Sequence, residues 1–188
     1  MEGNATYDKG LQRRVFDTGR NRPADPLFPY TAGVFGSGAN MAFRIDYLRR
    51  RRGFDAALGT GTVAMGGDDL AAFYDVVSDG HRLVYEPGAI VLHQHYRDYA
   101  ALRRQTYGYG AGLGAHLTRC LIEDPRFAFA LALSAVTALR RVRTIVRPPV
   151  VGDLPAYPAD LSRQQLRGLM SGPGRYLRSR RHARREVA

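Results

Sequence analysis

Apolar side chains recur with helical spacing between residues 68 and 79. The apolar positions are Leu70, Phe73, Tyr74 and Val77. Offsets of three, four and seven residues place side chains on one face of an α-helix. Asp68 and Asp69 would lie in the first turn, where negative charge suits the helix dipole. Gly80 follows the last periodic residue and is a natural helix terminator, so the pattern predicts a helix over 68–79.

Shorter extended and helical patterns surround this helix. The predicted strands cover residues 39–44, 82–85 and 89–93, and Pro87 and Gly88 separate the last two. Residues 46–52 predict a short helix that ends at Gly53. Four glycines between 59 and 67 predict a tight loop. The mixture predicts an α/β fold, in which His93 lies near a strand end, the usual place for chemistry in such folds.

The last third of the chain changes from apolar to basic. Residues 127–139 read FAFALALSAVTAL and are flanked by Arg126 and Arg140. A spanning helix needs ~20 apolar residues, so we predict a helix that packs on the core, with an interfacial helix on a membrane surface as the alternative. Residues 161–185 contain eight arginines and no acid. This pattern is typical of a solvated, flexible tail, and anionic lipid is a candidate partner for it.

Composition favours anionic partners and a reducing compartment. The formal net charge is +11, which favours nucleic acid, an acidic membrane surface or phosphorylated substrates. Nucleic acid is the less favoured of these, because the tail has one aromatic residue, Tyr176, and no stacking platform. Cys120 is the only cysteine, which excludes an internal disulfide and a cysteine-ligated structural zinc. The N-terminus lacks the apolar core of a signal peptide.

Two pairs of residues are candidates for chemistry. Asp68 and Asp69 form an acidic pair, and His93 and His95 form a His-x-His pair downstream. A carboxylate pair followed by such a histidine pair suggests a general base and a metal ligand that meet at one site. The structural alternatives are that the acids are helix caps and that the histidines lie on the surface or in packing. We interpret the glycines between 108 and 114 as helix packing rather than an acceptor-site loop.

Four linked motifs carry a family resemblance. They are GSGANMAFR at 36–44, GFDAALGTGT at 53–62, GGDD at 66–69 and YEPGAIVLHQH at 85–95. The stretch RDYAALRRQTYGYGAGLGAHLTR, at 97–119, continues them. Over 33–118 the chain resembles the C-terminal half of the catalytic domain of family 2 glycosyltransferases, which have the GT-A fold. The resemblance implies an α/β chain: an incomplete GT-A domain followed by C-terminal helices and a basic tail.

The resemblance also implies an activity and roles for the candidate residues. It implies inverting transfer of a sugar from a nucleotide-sugar donor to a glycan or lipid-linked acceptor, in bacterial cell-envelope polysaccharide synthesis. Asp69 matches the family's general base, and Asp68 stands where many members have glutamate. His93 matches the late histidine that helps to hold Mg²⁺ or Mn²⁺ on the donor diphosphate, with His95 as the second candidate. Ala71 stands where the family often has another acid.

The same resemblance sets the expected domain organisation. We expect a connector over 1–32, the C-terminal part of the catalytic domain over 33–118, an apolar helical segment over 119–150 and a flexible basic tail over 151–188. The family carries its nucleotide-binding strands and a D-x-D metal motif upstream of the matching region, and this sequence contains no D-x-D. We therefore expect a fragment or half of a split enzyme that needs a separate nucleotide-binding half.

Two functions from different classes remain open. The first is the glycosyltransferase half, which we expect in the cytoplasm, with peripheral contact at the inner face of the plasma membrane as a further option. The second is a non-catalytic basic module that binds anionic membrane or nucleic acid through its tail. The Asp69 and His93 pair discriminates between them, because a binding module does not need it.

Overall fold

The structure, a computed structural model, describes residues 12–92, 98–146 and 158–186. These residues are mostly helical, with one small antiparallel sheet. In chain order the elements are β1 (Arg14–Phe16), a 3-10 helix (Ala32–Phe35), α1 (Ile45–Arg51), α2 (Asp68–Ser78), β2 (Leu83–Tyr85), α3 (Tyr99–Glu123), α4 (Pro125–Leu133), α5 (Ala135–Val146) and α6 (Ala159–Glu186). The prediction of an α/β chain is therefore correct in the coarse sense that the described residues contain both helices and strands.

The two-stranded sheet joins the N-terminal region to the middle of the chain. β1 pairs antiparallel with β2, with Arg14 opposite Tyr85 and Phe16 opposite Leu83. Phe28 and Tyr30, which follow β1, are buried in the core. The expectation that residues 1–32 form only a connector is wrong for this described part, because it supplies a strand and core side chains.

The two helices predicted in the middle of the chain are confirmed, and two of the predicted strands are not. α1 and α2 match the predictions over 46–52 and 68–79 to within one residue at each end. Residues 39–44 and 89–92 are not strands. A strand needs a neighbour to satisfy its backbone groups, and in the described ranges only β1 and β2 pair as strands. His93, the end of the last predicted strand, lies outside the described residues.

α3 and α6 pack closely because glycines face each other between them. A Cβ atom at Gly110 would lie 2.0 Å from the carbonyl oxygen of Gln165, and one at Gly168 would lie 2.1 Å from that of Tyr107. Gly172 meets the backbone of Gly114 in the same way. Only residues without a side chain let two helix backbones approach this closely. The interpretation of these α3 glycines as packing is confirmed.

The expectation of a flexible basic tail is wrong for residues 159–186, which form α6. A repeating face of small and apolar residues explains the difference. The buried positions include Leu161, Gly168, Gly172, Tyr176 and Ser179. They recur at helical spacing, and α6 packs on α3, while six of the eight arginines of 161–185 are exposed. α3 itself runs through the expected boundary at residue 118.

The apolar segment 127–139 covers most of α4 and the first five residues of α5, rather than forming one core helix. The helix is interrupted at Ser134. Phe127 is buried, but Phe129, Leu133, Val136 and Leu139 are exposed. The prediction of core packing therefore holds for one face of α4 only. No helix in the described ranges is long and apolar enough to cross a bilayer.

Candidate functional site

The acidic pair lies at the start of α2, after a glycine with left-handed backbone. Gly67 is the N-cap residue, with φ of 91°, and no side chain caps the helix there. A Cβ atom at Gly67 would also lie 2.5 Å from the carbonyl oxygen of Gly112 in α3. Glycine is therefore required twice at this position, once for its conformation and once for space. Gly67 is therefore the N-cap residue, while Asp69 satisfies one donor of the first turn, the N–H of Leu70.

Asp69 is held by backbone donors from two parts of the chain. Its Oδ2 accepts a hydrogen bond from the N–H of Gly38 at 3.0 Å. Its Oδ1 accepts one from the N–H of Leu70 at 2.8 Å. A Cβ atom at Gly38 would lie 3.0 Å from Oδ2, so the GSGAN turn approaches the carboxylate closely. A carboxylate has about four acceptor sites, so two backbone bonds orient Asp69 and leave it able to accept another proton donor.

Asp68 faces the glycine loop that precedes the helix. The loop is closed by a bridge between Gly59 and Gly66, and the hydroxyl of Thr62 donates to the carbonyl of Gly59 at 2.8 Å. A Cβ atom at Gly59 would lie 3.6 Å from the Asp68 carboxyl carbon. The prediction of a tight loop over 59–67 is confirmed. Asp68 and Asp69 are both half-buried, so the two carboxylates are partly open to solvent.

The other motifs meet the same region. The side-chain amide of Asn40, in the first motif, donates to the backbone carbonyl of Ala89 in the fourth. Gly112, in the stretch that continues the motifs, lies against the backbone of Gly66 and Gly67. The first three motifs and α3 therefore adjoin the first turn of α2, and the fourth motif joins the first through the bond from Asn40.

A buried ion network behind the site fixes α2 against α3. Arg119 donates to both carboxylate oxygens of Asp75, at 2.9 and 3.1 Å. Its Nε forms ion pairs with Asp55 at 3.1 Å and Glu123 at 3.0 Å, without hydrogen-bond geometry. Burial alone would lower the pKa of Arg119, but the hydrogen bonds and charge of Asp75 outweigh it and raise that pKa. Arg51 adds a second cation, 2.7 Å from Asp75.

Sequence reasoning did not find this network. The one local signal is the spacing of Arg119 and Glu123, four residues apart on α3. Asp55 belongs to the GFDAALGTGT motif and Asp75 to α2, and only the folded chain brings them to Arg119. The network is a support for the site rather than a part of it, since it ties the second motif and α2 to one helix.

His93 and His95 lie outside the described residues. Whether either histidine meets Asp69 stays a prediction. Over 12–92, 98–146 and 158–186, no group of three or more His, Cys, Asp or Glu side chains forms a metal site.

A second buried cluster, around His116, is structural. The Nε2–H of His116 donates to the carbonyl of Tyr30 at 3.1 Å. Asp124 accepts hydrogen bonds from the hydroxyls of Tyr30 and Tyr74, at 2.9 and 3.3 Å. Burial lowers the pKa of His116 to about 4 and raises that of the Cys120 thiol to about 12. Both groups are therefore neutral near pH 7, and the thiol is not a reactive nucleophile.

Comparison of the chain with protein-family models, with curated proteins and with solved structures finds no match.

Proposed function

We propose that this chain is the acceptor-side half of a GT-A glycosyltransferase catalytic domain of family 2. In this role it takes part in transferring a sugar from a nucleotide-sugar donor to a glycan or lipid-linked acceptor hydroxyl, with inversion. One observation carries the proposal. The motifs GSGAN, GFDAALGTGT and GGDD, and helix α3, adjoin one helix N-terminus with two half-buried carboxylates, and YEPGA is joined to GSGAN by the hydrogen bond from Asn40.

Asp69 is the general base in this proposal. Its carboxylate takes the proton of the acceptor hydroxyl while that oxygen attacks the anomeric carbon of the donor, and the bond from this carbon to the nucleoside diphosphate breaks. A hydroxyl is a poor nucleophile, so a base within hydrogen-bond reach accelerates the attack. The N–H groups of Gly38 and Leu70 hold the carboxylate in one orientation, which limits the entropy lost on reaching the reactive geometry. Asp68 is the second candidate.

The proposed cofactor is Mg²⁺ or Mn²⁺. Carboxylate oxygens and imidazole suit Mn²⁺, and the carboxylate ligands would come from the D-x-D motif of the separate nucleotide-binding half. His93 would supply the imidazole, with His95 as the second choice. When bound, the ion would stabilise the charge that develops on the diphosphate leaving group.

The role of His93 is tested by donor binding rather than by turnover. His93→Ala should weaken Mn²⁺-dependent binding of the nucleotide sugar, measured by calorimetry with the nucleotide-binding half present, and excess Mn²⁺ should restore part of it. His95→Ala is the matched comparison and should have the smaller effect. If neither substitution changes the Mn²⁺ dependence of donor binding, the metal ligands lie elsewhere.

The proposal is tested by a transfer assay. The chain is combined with a nucleotide-binding half on a second polypeptide, for which the product of an adjacent upstream reading frame is the first choice. Labelled nucleotide sugars and a lipid extract serve as donors and acceptors. Transfer that requires both polypeptides supports the proposal. Transfer by the second polypeptide alone, at the same rate, contradicts it.

The proposed location follows from the donor. Nucleotide sugars are cytoplasmic metabolites, so the proposal places the reaction in the cytoplasm. An acceptor that is linked to lipid would bring the site to the inner face of the plasma membrane.

A further inference from the structure

α4 is apolar on the side that faces the core and also on the opposite side. Phe127 is buried, and Ala130 and Leu131 pack against the same core cluster. Phe129 and Leu133 point away from this cluster and are 67% and 72% exposed. A surface helix normally carries polar residues on its outer face, whereas Arg126 is the only charged residue of α4. The outer face of α4 is therefore unsuited to water.

The exposed apolar positions continue across the helix break at Ser134. Val136 and Leu139, in the first turns of α5, are 64% and 71% exposed, and Val142 is exposed as well. The spacing of four residues within α4 and of three within α5 places each pair on one side of its own helix. We call Phe129, Leu133, Val136 and Leu139 the apolar ridge.

Positive charge surrounds the apolar ridge. Residues 125–146 contain four arginines and no acid. Of these, Arg126, Arg140 and Arg143 are exposed, and Arg126 is ion-paired with Asp124, so Arg140 and Arg143 carry most of the charge of this segment. α5 also contacts α6, and residues 161–185 of α6 add eight arginines without an acid. The exposed arginines of α6 recur at helical spacing: Arg163, Arg167, Arg178, Arg181, Arg184 and Arg185.

We propose that α4 and α5 form a docking surface for an anionic lipid bilayer, with the apolar ridge inserted at the headgroup boundary and the arginines on lipid phosphates. Apolar ridges flanked by arginine are the pattern of helices that lie in the membrane interface. Each arginine near an anionic surface adds attraction. The two helices have nine and 12 residues, about 14 and 18 Å at 1.5 Å per residue, so they lie on the bilayer rather than cross it.

A bilayer explains the ridge better than nucleic acid does. Nucleic acid would bind the arginines through its phosphates, and such contacts are electrostatic. The four large side chains of the apolar ridge would therefore stay in water. A bilayer uses both features and needs no matching pocket. The proposal is independent of sugar transfer, so it stands or fails separately from the glycosyltransferase assignment.

The absence of tryptophan from the chain gives a direct probe. Phe129→Trp places a single fluorophore on the apolar ridge. Its control is Val34→Trp, at a residue with similar exposure, 63%, outside α4 and α5. The full chain is titrated with vesicles of equal parts phosphatidylcholine and phosphatidylglycerol, and with vesicles of phosphatidylcholine alone. We expect a blue shift at position 129 with the anionic vesicles, quenching there by brominated lipid, and neither effect at position 34.

Two further variants separate the apolar contribution from the charge contribution. Phe129→Ser with Leu133→Ser should lower vesicle affinity by about tenfold or more, from the apolar area that no longer inserts. Val34→Ser with Ile45→Ser, also at exposed apolar positions, should leave vesicle affinity unchanged. Arg140→Gln with Arg143→Gln should lower it by about fivefold for each arginine removed, and added salt should have a similar effect. Circular dichroism checks that each variant keeps its helices.

Three outcomes would overturn the proposal. The first is no vesicle-dependent change at position 129. The second is full vesicle binding by the Phe129→Ser, Leu133→Ser variant together with equal binding to duplex DNA. That result would mean that the arginines bind phosphate of any source and that the apolar ridge does not contribute. The third is a dimer in sedimentation that the same double substitution converts to monomer, without vesicle binding by the parent chain. That result would mean that a second copy covers the apolar ridge.

Discussion

At the residue scale, Asp69 and His116 show how different degrees of burial serve different ends. Asp69 is half-buried and both of its oxygens accept backbone hydrogen bonds, yet it stays at an open edge of the molecule beside Gly38. His116 is fully buried, and its Nε2–H donates to the carbonyl of Tyr30. Asp69 is therefore oriented and accessible, as a base must be, while His116 is locked in a neutral form inside the core.

The buried His116 predicts a specific pH dependence of stability. Burial, with a smaller effect from the charge of Arg119, lowers its pKa from 6.5 to about 4, against opposing effects of the Tyr30 carbonyl, Asp75 and Asp69. The unfolded chain therefore binds more protons between these two values. The contribution of neutral His116 to the free energy of unfolding is complete above pH 6.5 and is lost as the pH falls towards 4. It amounts to on the order of 3 kcal/mol, at 1.36 kcal/mol per pKa unit.

The measurement is the free energy of unfolding in urea at several pH values between 6.5 and 4. The His116→Gln variant keeps a donor near the Tyr30 carbonyl but cannot titrate. Its slope over this window should be distinctly smaller than that of the parent, even if the variant is less stable overall. Equal slopes would mean that the stability change arises from other groups.

At the element scale, the contact between α3 and α6 organises the molecule. Gly110, Gly114, Gly168 and Gly172 let the two backbones meet, and another α3 glycine, Gly112, seats the loop before α2. One helix thus supports the candidate site on one side and α6 on the other. A change in the spacing between α3 and α6 is expected to reach the site through α3.

Gly110→Ala should destabilise the chain by about 1–3 kcal/mol, the usual cost of overpacking. The added methyl would lie 2.0 Å from the backbone oxygen of Gln165, which cannot move as a flexible side chain can. Gly174→Ala is the matched control in α6, because nothing lies within 4 Å of its added Cβ atom. It should be neutral or slightly stabilising, since alanine favours the helix. Thermal and urea unfolding measure both, and equal stability of the two variants would contradict the close glycine contact.

Local signals explain which elements sequence reasoning could predict. α2 was predictable from its apolar spacing, and the ends of α1 and α2 were predictable from the glycines that follow them. The strand predictions at 39–44 and 89–93 depended on partners that local sequence does not specify, and β1 was missed for the same reason. α6 was missed because its buried face is largely glycine and serine, which give little hydrophobic signal beside eight arginines.

The candidate site, like the fold, was predictable only where the signal is local. The positions of Asp68 and Asp69 in the first turn of α2 were predicted from helix rules, and the motif resemblance added their role. The bond from Gly38 to Asp69 was not predictable from spacing, since it joins residues 31 apart in sequence. Arg119 was also missed, because its partners Asp55 and Asp75 come together only in the folded chain.

At the scale of the whole molecule, apolar surface remains uncovered near the site. Ile90 and Leu92, which follow Ala89, are 80% and 98% exposed. In the part of the chain that the structure describes, β1 and β2 pair only with each other, so each keeps an open edge. Such surfaces commonly mark interfaces or aggregation sites, and a nucleotide-binding half is the partner that our proposal supplies.

The isolated chain should therefore self-associate. We expect concentration-dependent sedimentation coefficients and a tendency to aggregate, because exposed apolar side chains and strand edges can pair between copies. Ile90→Ser with Leu92→Ser should reduce the association. A monodisperse monomer with cooperative unfolding would count against the incomplete-domain interpretation.

The central claim is that Asp69 is the base of a sugar transfer, and one comparison tests it most directly. Transfer rates are measured for the parent chain, Asp69→Asn and Asp68→Asn, each with the nucleotide-binding half, at saturating donor. Asp69→Asn should lower the rate by ~10²-fold or more, the loss expected for a general base, while donor affinity stays near that of the parent. Asp68→Asn, in the same helical turn, should lose less than about tenfold. Full transfer activity in Asp69→Asn would contradict the claim and make Asp68 the first alternative base.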